Sequence, residues 1–219
     1  IMLNVQAPAK INLTLEVLSK RDDGFHEIRS VIQTINLCDS FSFQTGRDVV
    51  FKSAMPGWIA EESLVSKVAV LLRQVTGCTK GTSVEVTKRI PLMSGLGGDS
   101  SDAAAVLRGL NQLWKLGLSL RELSELAARL GSDVSFFLYG GTALLKGSGE
   151  TVTSLPSPPR HWVVLLVPSL SRLKGKTKQL YTGLKTTDYT DGRITERMLG
   201  EIETGRQIIP SLLFNTFEN

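Results

Sequence analysis

Residues 91–105 read PLMSGLGGDSSDAAA, a glycine-rich loop that runs directly into an alanine-rich segment. The segment before it, SVEVTKRI at 83–90, alternates in the manner of a strand, and Pro91 closes that strand because proline cannot donate to a ladder. The segment after it, residues 100–115, combines good helix formers with an apolar stripe at helical spacing. The sequence therefore predicts a strand, a loop and a helix in that order.

A glycine loop at the start of a helix is suited to phosphate. The first turn of a helix carries unpaired N–H groups and the positive end of the helix dipole, so it attracts an anion without a charged side chain. We predict that phosphate lies along residues 94–101. The same glycines could instead make only a tight turn, and the local sequence leaves both interpretations open.

Two commoner phosphate loops do not fit this segment. The loop lacks the Gly-Lys-Ser or Gly-Lys-Thr ending of P-loop NTPases and therefore their anchoring lysine. It also ends in serine where a dinucleotide fingerprint has its third glycine, and no suitable acidic residue follows about 20 residues later. The first class is excluded and the second is disfavoured.

The composition is that of a folded globular protein. Of the 219 residues, 42% are hydrophobic and 21% charged, which argues against a disordered chain and against a membrane protein. The formal net charge of +4 would suit either nucleic acid or a substrate with several phosphates, but the basic residues are scattered except for Lys174, Lys176 and Lys178. We therefore expect no nucleic-acid partner.

Metal and redox chemistry have little support in the sequence. The two cysteines, Cys38 and Cys78, lie far apart, and two histidines cannot supply a histidine-rich metal site. No apolar run is long enough to cross a bilayer, and the first residues do not resemble a signal peptide. We expect reduced thiols, no membrane partner, no metal ligand in the chain itself and a cytoplasmic location.

The rest of the chain predicts alternating strands and helices. Strands are expected at 11–18, 30–37, 142–146 and 162–167, and helices at about 62–76, 100–115, 120–130, 172–185 and 192–204. Ser119 and Glu122 form a capping-box pattern at the start of the third helix. The prolines at 156, 158 and 159 mark a linker, so we place a domain boundary at 155–161.

Four segments together resemble the GHMP small-molecule kinases in their order and spacing: PAKINL at 8–13, DGFHEI at 23–28, PLMSGLGGDSSDAA at 91–104 and LGSDVSFF at 130–137. The resemblance implies an α+β fold, with an N-terminal domain of mixed sheet and helices at 1–157 and a ferredoxin-like C-terminal domain at 158–219. The family places a third glycine-rich motif in its C-terminal domain. None occurs before Asn219, so that domain is expected to be partial.

The resemblance also implies an activity. GHMP kinases transfer a phosphoryl group from ATP, which carries Mg²⁺, to an alcohol of a small molecule, in a cleft between the two domains. DGFHEI matches the branch whose substrate is a methylerythritol linked to cytidine diphosphate. Kinases for other small alcohols, such as homoserine or mevalonate, and a nucleotide-binding module without catalysis remain the alternatives.

By resemblance, the site residues fall into two sets. The adenine base of ATP would lie near Ser63, Leu64 and Lys88. The rest of ATP would be held by the loop residues Pro91, Ser94, Gly95, Leu96, Gly97, Gly98, Asp99, Ser100 and Ser101. The diphosphocytidyl substrate would contact Lys10, Asn12, Phe25, His26 and Asp133.

The resemblance implies catalytic roles for two of these residues. Asp133 would be the general base, and Lys10 would orient the attacking hydroxyl and stabilise charge in the transferring phosphoryl group. From the local sequence alone Asp133 reads as an ordinary turn or cap residue and Lys10 as a strand-edge lysine.

Three further residues carry open alternatives. His26 and Phe25 could bind and stack on a cytosine ring, or His26 could be a buried histidine with a satisfied partner. Asp99 is predicted to be the N-cap of a helix that starts at Ser100, with a role in holding Mg²⁺ as the alternative.

Overall fold

The computed structural model describes residues 2–167 and 175–218 of the chain. The chain divides into two compact units, each built from two stretches of sequence: Ile1–Lys10 with Ile35–Tyr139, and Ile11–Thr34 with Gly140–Asn219. Among the described residues, eight strands pair in a mixed sheet, which confirms the predicted α+β class. The predicted domains at 1–157 and 158–219 and the ferredoxin-like arrangement stay predictions.

The strands of the first unit surround the long strand β3. Strand β1 (Met2–Asn12) pairs with β3 (His26–Gly46), whose second half pairs antiparallel with β5 (Gly81–Thr87). Strand β4 (Val49–Ser53) lies parallel to β5 at the edge. Both β1 and β3 continue past the limits of this unit.

Four helices complete the first unit: α1 (Leu64–Thr76), α2 (Gly98–Trp114), α3 (Leu120–Ala128) and α4 (Ser132–Tyr139). Their ends follow local chemistry. The Ser63 hydroxyl accepts the Val65 N–H at the start of α1, and Gly77 ends that helix with a left-handed φ of 67°. The predicted capping box of Ser119 and Glu122 is confirmed at the start of α3.

Helix α2 is the centre of the first unit. Ala103, Val106, Leu107 and Leu110 are fully buried, and α2 packs against α1, α3 and α4. Arg108 extends from the same helix and donates to the carbonyls of Phe137, at 3.2 Å, and Gln6, at 3.3 Å. These bonds join the middle of α2 to α4 and to β1.

The second unit contains the first half of β3. That half pairs antiparallel with β2 (Thr14–Lys20) on one side and with β6 (Thr142–Gly147) on the other. Strand β7 (Thr151–Leu155) pairs with β6, and the two-residue strand β8 (Phe214–Asn215) pairs parallel with β2. Helices α5 (Lys176–Gly183) and α6 (Arg193–Glu203) belong to this unit, whose core contains Leu13, Val31, Met198, Ile202 and Leu212.

Three predicted strands differ from the structure. The strand predicted at 11–18 is interrupted at Leu13, whose N–H leaves the local ladder to donate to the Val31 carbonyl at 2.8 Å. The strand predicted at 83–90 ends at Thr87, because the N–H groups of Arg89 and Ile90 donate to the Asp39 carboxylate. The strand predicted at 162–167 is wrong: that segment has no regular structure, and Trp162 is 98% exposed.

The helix predictions fared better. Those at about 62–76, 100–115, 120–130 and 192–204 are confirmed to within two residues at each end. The helix predicted at 172–185 is present as Lys176–Gly183, and its first residues lie outside the described part of the chain. Helix α4 and strands β7 and β8 were not predicted. In the described residues, no helix is long and apolar enough to cross a bilayer.

We expect Gly109→Ala to destabilise the protein by about 1–3 kcal/mol, since a Cβ at Gly109 would lie 2.4 Å from the Phe43 ring. Gly200→Ala is the matched control, because Gly200 lies in α6 with nothing within 4 Å of its Cβ position. The control should raise stability by about 0.5–1 kcal/mol. Denaturant unfolding of both variants checks this, and equal effects at the two positions would contradict the packing described here.

Candidate active site

The glycine loop turns through left-handed backbone conformations before it enters α2. Met93, Gly95 and Gly97 have φ angles of 53°, 81° and 71°. Gly97 is the N-cap of α2, and a Cβ there would lie 2.8 Å from the Phe137 ring and 3.0 Å from the Lys10 side chain. Both the backbone angle and the close approach therefore require glycine at this position.

The loop is attached to its surroundings on two sides. The Lys10 N–H donates to the Leu96 carbonyl at 2.9 Å, and the Ser94 hydroxyl donates to the Pro91 carbonyl at 2.7 Å. On the other side, a Cβ at Gly98 would lie 3.1 Å from the Ile90 side chain. These contacts restrain the backbone of the loop, which favours the binding of a ligand by main-chain N–H groups.

The start of α2 has the features of an anion site. The Ser101 N–H makes the first helical hydrogen bond, to the Gly97 carbonyl at 2.9 Å, so the N–H groups before it have no partner within the helix. The Ser101 hydroxyl is buried and has no hydrogen-bond partner among the described residues. With the positive end of a 17-residue helix, these donors suit a phosphate group.

Asp99 does not cap its own helix. Helix α2 begins at Gly98, one residue before Asp99, and its N-cap Gly97 has no side chain, so the predicted N-cap role for Asp99 is wrong. The Asp99 carboxylate instead accepts the Ser63 hydroxyl and, at 3.1 Å, the Leu64 N–H. It therefore caps the neighbouring helix α1 and links the start of α1 to the start of α2.

Lys10 and Asp133 form the pair of charges beside the loop. The Lys10 ammonium lies 3.7 Å from the Asp133 carboxylate, and the two side chains are 11% and 34% exposed. Lys10 is fixed by β1, and Asp133 lies in the first turn of α4. Phe137, one turn further along α4, is the residue that contacts Gly97. The loop, the cation and the carboxylate thus meet in one place.

Lys88 lies beneath the loop rather than on its surface. Its side chain is 2% exposed, and its ammonium forms ion pairs with the fully buried carboxylates of Asp39 and Asp102. Burial lowers the pKa of Lys88, but the two carboxylates outweigh it and raise the pKa above the ordinary value. The predicted contact of Lys88 with a nucleotide stays a prediction. Asp39 and Asp102 were not predicted as part of the site.

The pKa of Asp102 is raised to about 8, mainly by burial. Asp39 raises it further by charge repulsion, and Lys88 opposes both effects without cancelling them. Asp102 is therefore a neutral acid at neutral pH. One ammonium, one carboxylate and one carboxylic acid then leave the buried group without net charge.

Asn12, Phe25 and His26 belong to the second unit. The Asn12 amide donates to the Ser30 hydroxyl at 2.8 Å, and Phe25 is 62% exposed. His26 is 8% exposed, and burial, followed by the charge of Lys20, lowers its pKa. Its imidazole is therefore neutral at neutral pH.

The ring of His26 lies near aromatic side chains that were not predicted from the sequence. The Tyr181 ring is 5.1 Å away, the Tyr189 ring is 6.1 Å away, and Phe217 in turn contacts Tyr181 at 4.9 Å. These residues lie more than 150 positions from His26 in sequence, so no local pattern could have indicated them. In residues 2–167 and 175–218, no group of three or more histidine, cysteine or acidic side chains could hold a metal ion.

Comparison with known proteins gives a consistent result. The model of the GHMP kinases N terminal domain matches residues 63–141, which contain the loop and Asp133. A 4-diphosphocytidyl-2-C-methyl-D-erythritol kinase of Dehalococcoides mccartyi is 50% identical over 217 residues, 99% of this chain and 76% of the relative. One of the same name from Geobacillus thermodenitrificans is 44% identical over 205 residues, 92% of this chain and 69% of the relative.

Solved structures agree with these relatives. A crystal structure of 4-(cytidine 5′-diphospho)-2C-methyl-D-erythritol kinase matches with a TM-score of 0.78 and 31% identity, over 99% of this chain and 76% of that one. A phosphomevalonate kinase of Streptococcus pneumoniae matches with a TM-score of 0.67 and 14% identity, over 100% of this chain and 77% of that one, and shows the fold alone.

We expect the wild type to lose stability relative to Asp102→Asn as the pH rises from about 5 to about 8. Asp102 has a pKa of about 8 in the folded protein and about 4 when unfolded, so in this range the folded state binds more protons and its stability falls with pH. The asparagine does not titrate. Denaturant unfolding at several pH values should show a relative change of more than about 1 kcal/mol.

The control for this experiment is Asp48→Asn, which replaces an exposed carboxyl in the turn between β3 and β4. Its stability should run parallel to that of the wild type across the whole range. Parallel curves for Asp102→Asn as well would show that Asp102 is ionised in the folded protein throughout.

We expect Ser63→Ala and Asp99→Ala to be coupled in their effects on stability. Each should cost about 1 kcal/mol through loss of the α1 cap, and the double variant should lose less than the sum by about 0.5 kcal/mol or more. Ser119→Ala, at the cap of α3, should add independently to Asp99→Ala. Additive losses for Ser63 and Asp99 would contradict the shared cap.

Proposed function

Because this chain belongs to the 4-diphosphocytidyl-2-C-methyl-D-erythritol kinase family of GHMP kinases, we propose that it phosphorylates the 2-hydroxyl of 4-diphosphocytidyl-2-C-methyl-D-erythritol with ATP. Identities of 44–50% over most of the chain support the assignment to an alcohol kinase. The observation that carries the mechanism is the meeting of Lys10, Asp133 and the glycine loop.

The residues at the start of α2 fit the phosphates of ATP. Gly97 lets the loop backbone pass close to Phe137 and Lys10, the first N–H groups of α2 have no helical partner, and the buried Ser101 hydroxyl has no partner among the described residues. When bound, ATP supplies the phosphoryl group and brings Mg²⁺ with it. We propose that residues 94–101 hold these phosphates and that Ser63 and Leu64 lie near the base.

Asp133 is proposed as the general base. Its carboxylate would accept the proton of the substrate hydroxyl as that oxygen attacks phosphorus. The Lys10 ammonium, 3.7 Å from the carboxylate, keeps Asp133 in place and offsets negative charge that develops on the phosphoryl oxygens. The modest exposure of both side chains leaves them accessible to a substrate.

Asn12, Phe25 and His26 are proposed to bind the diphosphocytidyl part of the substrate. The exposed Phe25 ring is suited to stacking on a base, and the neutral His26 imidazole has one donor and one acceptor nitrogen for a base edge. The proposal places the enzyme in the cytoplasm, where ATP is supplied. Substrates of the homoserine or mevalonate type are not favoured by any contact described above.

The activity is tested by incubating the protein with ATP, Mg²⁺ and 4-diphosphocytidyl-2-C-methyl-D-erythritol, and following ADP and the phosphorylated product. Homoserine, mevalonate and methylerythritol without the diphosphocytidyl group serve as comparison substrates. Phosphorylation that does not depend on the cytidine group would replace this substrate assignment by another small alcohol. Tight ATP binding without transfer to any of them would indicate a binding module.

We expect Asp133→Asn to lower kcat by about 10²–10⁴ because the amide cannot accept the hydroxyl proton. ATP binding, measured by calorimetry, should change little, since Asp133 does not belong to the phosphate loop. Asp191→Asn, an exposed carboxyl before α6, is the control and should retain full turnover. Retained turnover in Asp133→Asn would remove Asp133 from the role of base.

A further inference from the structure

Three ionisable side chains lie buried together beneath the phosphate loop, outside the set that touches substrate. Lys88 follows β5, Asp39 lies in β3 and Asp102 lies in the second turn of α2. Their side chains are 2%, 0% and 0% exposed, and the Lys88 ammonium contacts a carboxylate oxygen of each aspartate. Charged groups are rarely buried to this extent unless they are paired, and removing one partner of such a pair is costly.

The group is connected to the segment that enters the loop. The second carboxylate oxygen of Asp39 accepts the N–H groups of Arg89 and Ile90, the latter at 2.8 Å. Because these N–H groups bond to Asp39, they do not pair with a neighbouring strand, and β5 ends before Pro91, where the loop begins. Asp39 thus fixes the position of the entry to the loop.

The group is also connected to the segment that leaves the loop. Asp102 lies one turn beyond Gly98, the first residue of α2. The Cβ position of Gly98 is 3.1 Å from the Ile90 side chain and 3.9 Å from the Lys88 ammonium, so the start of the helix rests directly on the entry segment. Lys88 therefore joins the two ends of the loop through one buried cation.

We propose that Lys88, Asp39 and Asp102 form a positioning cluster that clamps the two ends of the phosphate loop together and thereby sets the affinity for ATP. The proposal rests on the proposed function, in that ATP is the ligand of the loop. It assigns Lys88 an indirect role, because an ammonium that is buried and paired with two carboxylates acts on the loop through its geometry.

The proton on Asp102 fits this role. With Asp102 neutral, the cluster carries no net charge, and a single carboxylate balances the single ammonium. The other Asp102 oxygen, Oδ1, is buried and has no hydrogen-bond partner among the described residues, which suits a protonated carboxyl better than a charged one. A second ionised carboxylate at this depth would place uncompensated negative charge beneath a site for phosphates and oppose their binding. The clamp therefore holds the loop without repelling its ligand.

The test compares Asp102→Ala, Asp102→Asn and a control, Val106→Ala. Alanine removes the contact with Lys88, whereas asparagine is neutral and keeps an oxygen that accepts a hydrogen bond from Lys88. Val106 is fully buried on the same helix, one turn further along, and makes no part of the cluster. Val106→Ala leaves a cavity in the core and lowers the stability of the protein without changing the cluster. It therefore shows how much of any change in KM comes from lower stability alone.

We expect Asp102→Ala to raise the KM for ATP at least about tenfold, which corresponds to about 1.4 kcal/mol of binding, while kcat at saturating ATP changes little. Asp102→Asn should restore the wild-type KM, and Val106→Ala should leave KM unchanged. An equal rise of KM in Asp102→Ala and Val106→Ala, or a fall in kcat without a change in KM, would overturn the proposal.

Hydrogen exchange gives a second readout that needs no activity. The amides of residues 89–101 should exchange faster in Asp102→Ala than in the wild type, and at the wild-type rate in Asp102→Asn and Val106→Ala. If the wild type turns over no ATP, the proposed function fails. Hydrogen exchange then tests by itself whether the cluster clamps the loop. Faster exchange confined to Asp102→Ala then supports the clamp, and equal exchange in all variants overturns it.

Discussion

The site depends on the absence of a side chain at Gly97. At this position the chain turns with a φ of 71°, starts α2 and passes within contact distance of both the Phe137 ring and the Lys10 side chain. Phe137 is on the helix that carries Asp133, and Lys10 is the partner of Asp133. A single close approach of backbone to side chains thus brings the phosphate loop, the cation and the carboxylate together. Any larger residue would separate them by displacing one of the three.

Charge in this unit is arranged by depth. Asp133 and Lys10 are partly exposed, so each can be reached by a ligand, whereas Lys88, Asp39 and Asp102 are sealed beneath the loop. Burial raises the pKa of Asp102 and thereby keeps the deeper group neutral. Asp99 is exposed, and its carboxylate accepts the N–H of Leu64. The carboxyl groups near the loop are in this way paired with Lys10, held protonated or bonded to the start of α1.

Local patterns predicted most of the helices, because caps and apolar spacing are properties of a few adjacent residues. Ser119 with Glu122 and the stripe of α2 are examples. The strand ends were harder, since the end of β5 is set by Asp39, nearly 50 residues earlier in the chain. The proposed catalytic pair, by contrast, was predicted only from resemblance to a family. Neither the 3.7 Å between Lys10 and Asp133 nor the buried aspartates could be read from spacing. Asp99 was assigned to the wrong helix because its partner, Ser63, is also distant in sequence.

Arg108 gives the first unit a further property. From the middle of α2 its guanidinium binds the carbonyl of Phe137, on α4, and the carbonyl of Gln6, on β1, and burial lowers its pKa without removing its charge. Detachment of either element from α2 would cost Arg108 one of these two hydrogen bonds. Strand β1, with Lys10, and helix α4, with Asp133, are therefore coupled through one side chain of α2. Local opening of either element has to break a hydrogen bond to the same guanidinium.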